Sequence, residues 1–175
     1  MVLHELGGPV TLEDREPRKP GAGEALVRTK AAGIGLTVAI MKGTAELVTA
    51  LPRIPGHEIG GDIVEVGEGV ENIKPGDRVT CHFYLTCGYC QFCRRGKETL
   101  CENWGGYVGM ACDGGYAEFV TLPARNLVKI PNDVSYADAA IAADAICTPY
   151  HNCTEEARIQ PGDDVLIIGA AGGVK

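Results

Sequence analysis

The sequence predicts a mainly β fold. Three observations carry that expectation: 24 glycines and 10 prolines punctuate the 175 residues, the apolar runs between them are short, and those runs favour β-branched residues. Short strands at close intervals point to a barrel or a sandwich. Only toward the C-terminal end does the pattern change, to an alanine-rich helical stretch and then to an apolar strand before a glycine turn.

Each element follows from local chemistry. EALVRTKAAGIG (24–35) and GGDIVEVGEGV (60–70) read as strands bounded by turn residues. PGDRVTCHFYL (75–85) reads as a third, opened by a Pro-Gly turn. GGYAEFVTLPARNLVKIP (114–131) holds two more, broken at Pro123, which cannot donate to a ladder. In SYADAAIAADAICTPYHNCTEEARI (135–159), Ser135 and Asp138 make a capping box and the alanine-rich run behind them is helical. PGDDVLIIGAAGGVK (161–175) then supplies a turn, the strand Val165–Ile168 and a glycine turn. No internal repeat or low-complexity linker separates these parts.

Composition narrows the function. Apolar residues at 45% and charged residues at 22% are ordinary for a soluble globular protein. The formal charge of −7, with no basic stripe beyond Arg94-Arg95, would repel nucleic acid. The apolar runs are too short to span a bilayer and the N-terminus lacks the order of a signal peptide, so no membrane partner and a cytoplasmic location are expected.

Eight cysteines are many for a reducing compartment. Cys87, Cys90, Cys93 and Cys101 fall in CGYCQFCRRGKETLC. Two-residue gaps aim sulfurs at one point, and four thiolates close a zinc tetrahedron. A disulfide between C-x2-C neighbours is strained in most backbones, and nothing implies secretion. Four closed ligands leave no open position, so this zinc is structural.

His57 stands in GHEIGG (56–61) without another histidine nearby. An imidazole in a glycine-rich bend is more often a hydrogen-bonded residue than a metal ligand. The glycine turn at the other end, Gly169 to Gly173, has the G-x-x-G-G form by which a dinucleotide-binding unit lets backbone approach a pyrophosphate. Alone, that turn is a weak signal.

Together the pieces resemble the zinc-containing medium-chain alcohol dehydrogenases over essentially the whole chain. The resemblance is carried by AAGIG (31–35), GHEIGGDIVEVGEGV (56–70), PGDRV (75–79), the four-cysteine loop, GGYAEFV (114–120) and PGDDVLIIGAAGGV (161–174). It implies a GroES-like, partly open β-barrel with a zinc-binding loop and C-terminal helices over residues 1–158. The first strand and glycine turn of a truncated Rossmann domain would follow over 159–175. Chains of this family are about twice as long, so an N-terminal fragment, inactive by itself, is expected. The implied activity is reversible hydride transfer between an alcohol and an aldehyde or ketone with NAD or NADP, in a protein that is a homo-oligomer at full length.

The resemblance also assigns residues. Gly169, Gly172 and Gly173 fall in the cofactor fingerprint. Thr37 matches the hydroxyl that passes a proton from the alcohol. A catalytic zinc would be held by a cysteine, by His57 and by Asp144. At the cysteine's place stands Gly35, and the aspartate that supports the histidine is replaced by Val38. Glu58 is then the nearest candidate for a third ligand. Three readings compete: a zinc-type alcohol dehydrogenase, a zinc-independent reductase of C=C or C=O bonds, and a non-catalytic zinc-stabilised β module.

Overall fold

The computed structural model describes residues 1–35, 48 and 50–169. A two-stranded antiparallel ribbon pairs β1 (Val2–Leu3) with β2 (Val10–Thr11). The main body is an open five-stranded antiparallel sheet. Its strands are β3 (Glu24–Ala32), β4 (Ile59–Val66), β5 (Arg78–Cys81), β6 (Phe119–Pro123) and β7 (Leu127–Lys129), in the spatial order β6-β3-β4-β5-β7. The mainly β expectation therefore holds, with an open sheet rather than a closed barrel.

The five strands expected between residues 24 and 131 are all present, most of them shorter than expected. The third ends at Cys81, where the chain leaves β5; His82 N–H instead reaches Asn126 C=O at 2.7 Å. The pair over 114–131 is interrupted as expected, by a 3-10 turn at Ala124–Asn126 directly after Pro123. Alternate residues of these strands point into one core of Val27, Ile59, Ile63, Val79, Val120, Leu122 and their neighbours, all buried.

Two short helices follow, α1 (Tyr136–Ile141) and α2 (Cys147–His151). At the start of α1, Ser135 Oγ accepts from Asp138 N–H at 3.1 Å. The Asp138 carboxylate takes the Ser135 hydroxyl rather than returning to the backbone, so half of the expected capping box forms. The helical stretch is not continuous. A π-turn at Ala142–Ile146 separates the helices and another, Asn152–Glu156, ends them. Pro149 has no N–H to give Ala145 C=O, which removes a regular helical bond at this junction.

α1 is clamped to the sheet. Thr80 Oγ1 donates to Ala139 C=O at 2.7 Å, and the Arg78 guanidinium lies 4.4 Å over the Tyr136 ring while donating to Pro131 and Val134 carbonyls. Tyr136 Oη donates to Asp62. Glycine makes the close approach possible: a Cβ at Gly60 would stand 2.4 Å from Tyr136 C=O. Any larger residue there would lift α1 and everything behind it.

One expectation fails. Val165–Ile168 forms no strand, and its side chains are exposed, Leu166 at 86% and Ile168 at 92%. A strand is a pairing, and among the described residues nothing pairs with this one, so its backbone groups find no ladder. No helix among the described residues is long and apolar enough to cross a membrane.

Candidate functional site

Two groups of metal-capable side chains stand out. In the first, the chain leaving β5 runs into a loop folded around Cys87, Cys90, Cys93 and Cys101. Short 3-10 turns at Cys93–Arg95 and Glu98–Leu100 curl it back on itself. Arg125 pins its start by donating to the carbonyls of Thr86 and Cys87.

The sulfurs stand 3.5 Å apart for Cys90–Cys93, 3.6 Å for Cys87–Cys101 and 4.0 Å for Cys87–Cys93. None is near a disulfide length. Four ligands at a zinc–sulfur distance of about 2.3 Å sit about 3.8 Å apart in a tetrahedron, so the set fits zinc. Backbone N–H groups of Cys87, Cys90 and Cys93 point at Cys101, Cys87 and Cys90 sulfurs. Burial opposes ionisation of Cys87. Donors from Tyr89 and Cys90, with the Cys101 and Cys90 thiols, outweigh it and bring the group down to about 6. Cys90 is also lowered, chiefly by the Cys93 N–H. The other four cysteines stand apart: Cys81 is buried, Cys112 half-buried, Cys147 and Cys153 exposed.

The second group is assembled from distant segments. The bend ahead of β4 presents His57 and Glu58, and the π-turn behind α1 presents Asp144; their donor atoms all lie within 4.8 Å of one another. His57 Nε2 and Asp144 Oδ2 share a hydrogen bond of 3.1 Å. Thr148 Oγ1 donates to the other Asp144 oxygen at 2.5 Å. The His57 bond, assisted by Thr148 and opposed by burial, holds the Asp144 carboxyl below the usual carboxylate range. The His57 ring is backed by Phe83, with centroids 4.9 Å apart. Glu58 is buried, at 7% exposure, and its Oε1 accepts from Ala145 N–H at 3.0 Å.

The start of the loop after β3 lies against this site through its backbone. Gly33 N–H donates to Glu58 C=O at 2.9 Å, and Tyr116 Oη donates to Gly33 C=O at 2.9 Å. Gly35 follows and offers no side chain.

Sequence reasoning thus named residues that the structure brings together: the four cysteines in one place, and His57, Glu58 and Asp144 in another. Thr37, Val38, Gly172 and Gly173 lie outside the described residues. Gly169 is exposed, with φ +79°. Three contributors were missed. Thr148 was legible in principle, because a threonine four residues after an aspartate faces it on a helix. Phe83 and the Ala145 N–H carried no such signal, since their contacts cross long stretches of chain.

Comparison with known proteins identifies the family. Residues 21–132 match the family described as alcohol dehydrogenase GroES-like domain. The chain is 39% identical over 173 residues to an alcohol dehydrogenase of Geobacillus stearothermophilus, covering 98% of this chain and 51% of that one. It is 35% identical over 181 residues to an NAD-dependent alcohol dehydrogenase of Sulfolobus acidocaldarius, covering 99% and 52%. Among solved structures, a cobalt- and zinc-bound thermostable alcohol dehydrogenase from Pyrobaculum aerophilum superimposes with a TM-score of 0.87 at 35% identity, over 98% of this chain and 51% of that one. The chain therefore spans about half the length of the relatives it matches. A four-thiol loop of zinc dimensions, an open antiparallel sheet and a match over most of that sheet leave one assignment: this chain belongs to the zinc-containing medium-chain alcohol dehydrogenases, of which it presents the GroES-like domain.

Proposed function

We propose that this chain is the substrate-side part of an NAD- or NADP-dependent oxidoreductase that moves a hydride between a small alcohol and the matching aldehyde or ketone. The observation that carries the reading is the His57–Asp144 pair. It joins residues 87 apart in sequence at 3.1 Å, half-buried and backed by Phe83.

A zinc at this centre would act as a Lewis acid on the substrate oxygen, while the nicotinamide carries the hydride. His57 and Asp144 would hold it, with Glu58 beside them. Thr148 keeps the Asp144 carboxylate aimed, and Phe83 shields the imidazole from water. Thr37 is the hydroxyl we assign to passing the proton of the alcohol, by resemblance. Gly169, Gly172 and Gly173 we assign to the cofactor's pyrophosphate. The division into a domain over 1–158 and the opening of a second over 159–175 is supported by the exposed apolar run Val165–Ile168, which fits a strand of a sheet that these residues alone cannot complete.

A loop of four thiols at zinc rather than disulfide spacing supports a reducing, cytoplasmic setting. The test is alcohol-dependent reduction of NAD or NADP by the whole protein; no turnover with any small alcohol or carbonyl overturns the reading. Gly35 favours a second reading, a reductase without catalytic zinc. Turnover that survives removal of all but the four-cysteine zinc would select it.

A further inference from the structure

The groups that meet His57 from the helical side come from an irregular piece of helix. α1 ends at Ile141, α2 starts at Cys147, and the turn Ala142–Ile146 between them is widened. Cys147 N–H returns to Ala142 C=O, five residues back, as well as to Asp144 C=O. Asp144 and Ala145 sit inside that turn. The Asp144 carboxylate meets His57, and Ala145 N–H reaches out of the helix to Glu58 Oε1 at 3.0 Å.

Pro149 supplies a local cause. In a regular helix through this stretch, residue 149 would give its N–H to Ala145 C=O. Proline has no N–H, and its ring presses on the carbonyl four residues earlier, so the turn ahead of it must open. The second widened turn, Asn152–Glu156, closes the helix at an exposed end, where such turns are common without a proline. The first lies within the helix and against the site, and widened turns of that kind recur at functional sites. Its effect falls on Glu58. That residue is buried, and a buried carboxylate without a donor is costly. Ala145 N–H is such a donor. Thr148, next to Pro149, holds the other side of the turn by donating to Asp144 Oδ1.

We propose that Pro149 is a positioning residue: by denying Ala145 C=O its helical partner it keeps the turn at 142–146 open, which points Ala145 N–H at Glu58 and the Asp144 carboxylate at His57. This rests on the family reading only for the chemistry done at His57; the hydrogen bonds it explains belong to this chain's own fold. Pro149 acts through Ala145 and Asp144. Restoring an N–H at position 149 lets the helix close across the gap. Ala145 N–H then turns back to Ile141 C=O, and Glu58 Oε1 loses its donor.

The test starts with the 175-residue chain, zinc in its cysteine loop, and needs no turnover. In nuclear magnetic resonance spectra the Ala145 amide proton should lie downfield, exchange slowly and couple through its hydrogen bond to the Glu58 carboxylate carbon. Pro149→Ala and Pro149→Gly both restore the N–H but differ in helix propensity. Both should move the Ala145 amide upfield and abolish the coupling, with unchanged signals from the sheet showing that each variant is folded. In the whole protein the same variants should lower kcat by ~10–100-fold, the range for groups that orient metal ligands, with KM for the nicotinamide cofactor unchanged. Absence of the coupling in the unmodified chain overturns the proposal. So does its survival in both variants, or its loss in only one of them, which would assign the turn to the side chain at 149 rather than to the missing N–H. A whole protein without turnover, in which Ala145 still responds to residue 149, removes the family reading and keeps the positioning role. An active protein in which Ala145 is indifferent to residue 149 does the reverse.

Discussion

The two clusters differ in how far the chain travels to make them. The cysteine loop closes on itself within residues 87–101, and its thiols need only local turns to meet. The His57 cluster needs the bend before β4, the loop after β3 and the π-turn behind α1, and it exists only because α1 is clamped to the sheet. One site is written in spacing, the other in packing. The difference teaches where each is vulnerable: the first to loss of its ion, the second to any shift of α1.

The largest expected effect is on the cysteine loop. Cys90→Ser removes one of four thiolates, and structural zinc in small domains is worth about 10–16 kcal/mol of apparent binding energy. Residues from about 85 to 105 should become open to proteases while the sheet stays protected. An unchanged digestion pattern would mean that the loop holds its shape without the ion, and the contrast between the two sites would collapse.

Asp144→Asn should cost less, because it removes one charge-assisted bond of a kind worth about 1.5–3 kcal/mol. Its signature is in pH. The folded Asp144 carboxyl lies below its ordinary value of 3.8, chiefly through His57. Its contribution is therefore complete above that value and is lost as pH falls through the lower, folded one. Denaturant melts of the metal-free proteins should show the native chain ahead at neutral pH and the two converging in acid. A stability difference that grows in acid would reverse the assignment.

Thr148→Val keeps the shape and removes the hydroxyl that donates to Asp144 at 2.5 Å. A loss of about 1 kcal/mol is expected, read as a small drop in melting temperature with the cysteine loop untouched. The smallest effect belongs to Cys153→Ser. Cys153 is exposed and outside both clusters, so stability should move by less than about 0.5 kcal/mol, with the zinc content measured by metal analysis unchanged. A lost zinc here would show that the scattered cysteines are not idle.

Much of this was legible beforehand, for definite reasons. The strands at 24–32 and 59–66 stood out because β-branched residues ran between turn residues. Ser135 announced the start of α1 because its hydroxyl meets Asp138 N–H within one turn. Val165–Ile168 misled because an apolar run records what a segment would bury, not whether a partner is present to pair with it. The π-turn at Ala142–Ile146 was hidden in an alanine-rich stretch that favours helix everywhere except opposite Pro149.

By itself the sequence determined the cysteine site, the strands and the presence of His57, Glu58 and Asp144, since spacing and local propensity act over a few residues. Only the tertiary structure decided that Thr148 fixes Asp144, that Phe83 backs the imidazole and that Glu58 lies over Gly33 against Ala145. Those contacts depend on α1 docking over Gly60. Docking is a sum of many small packing terms spread along the chain, and no short stretch of residues contains that sum.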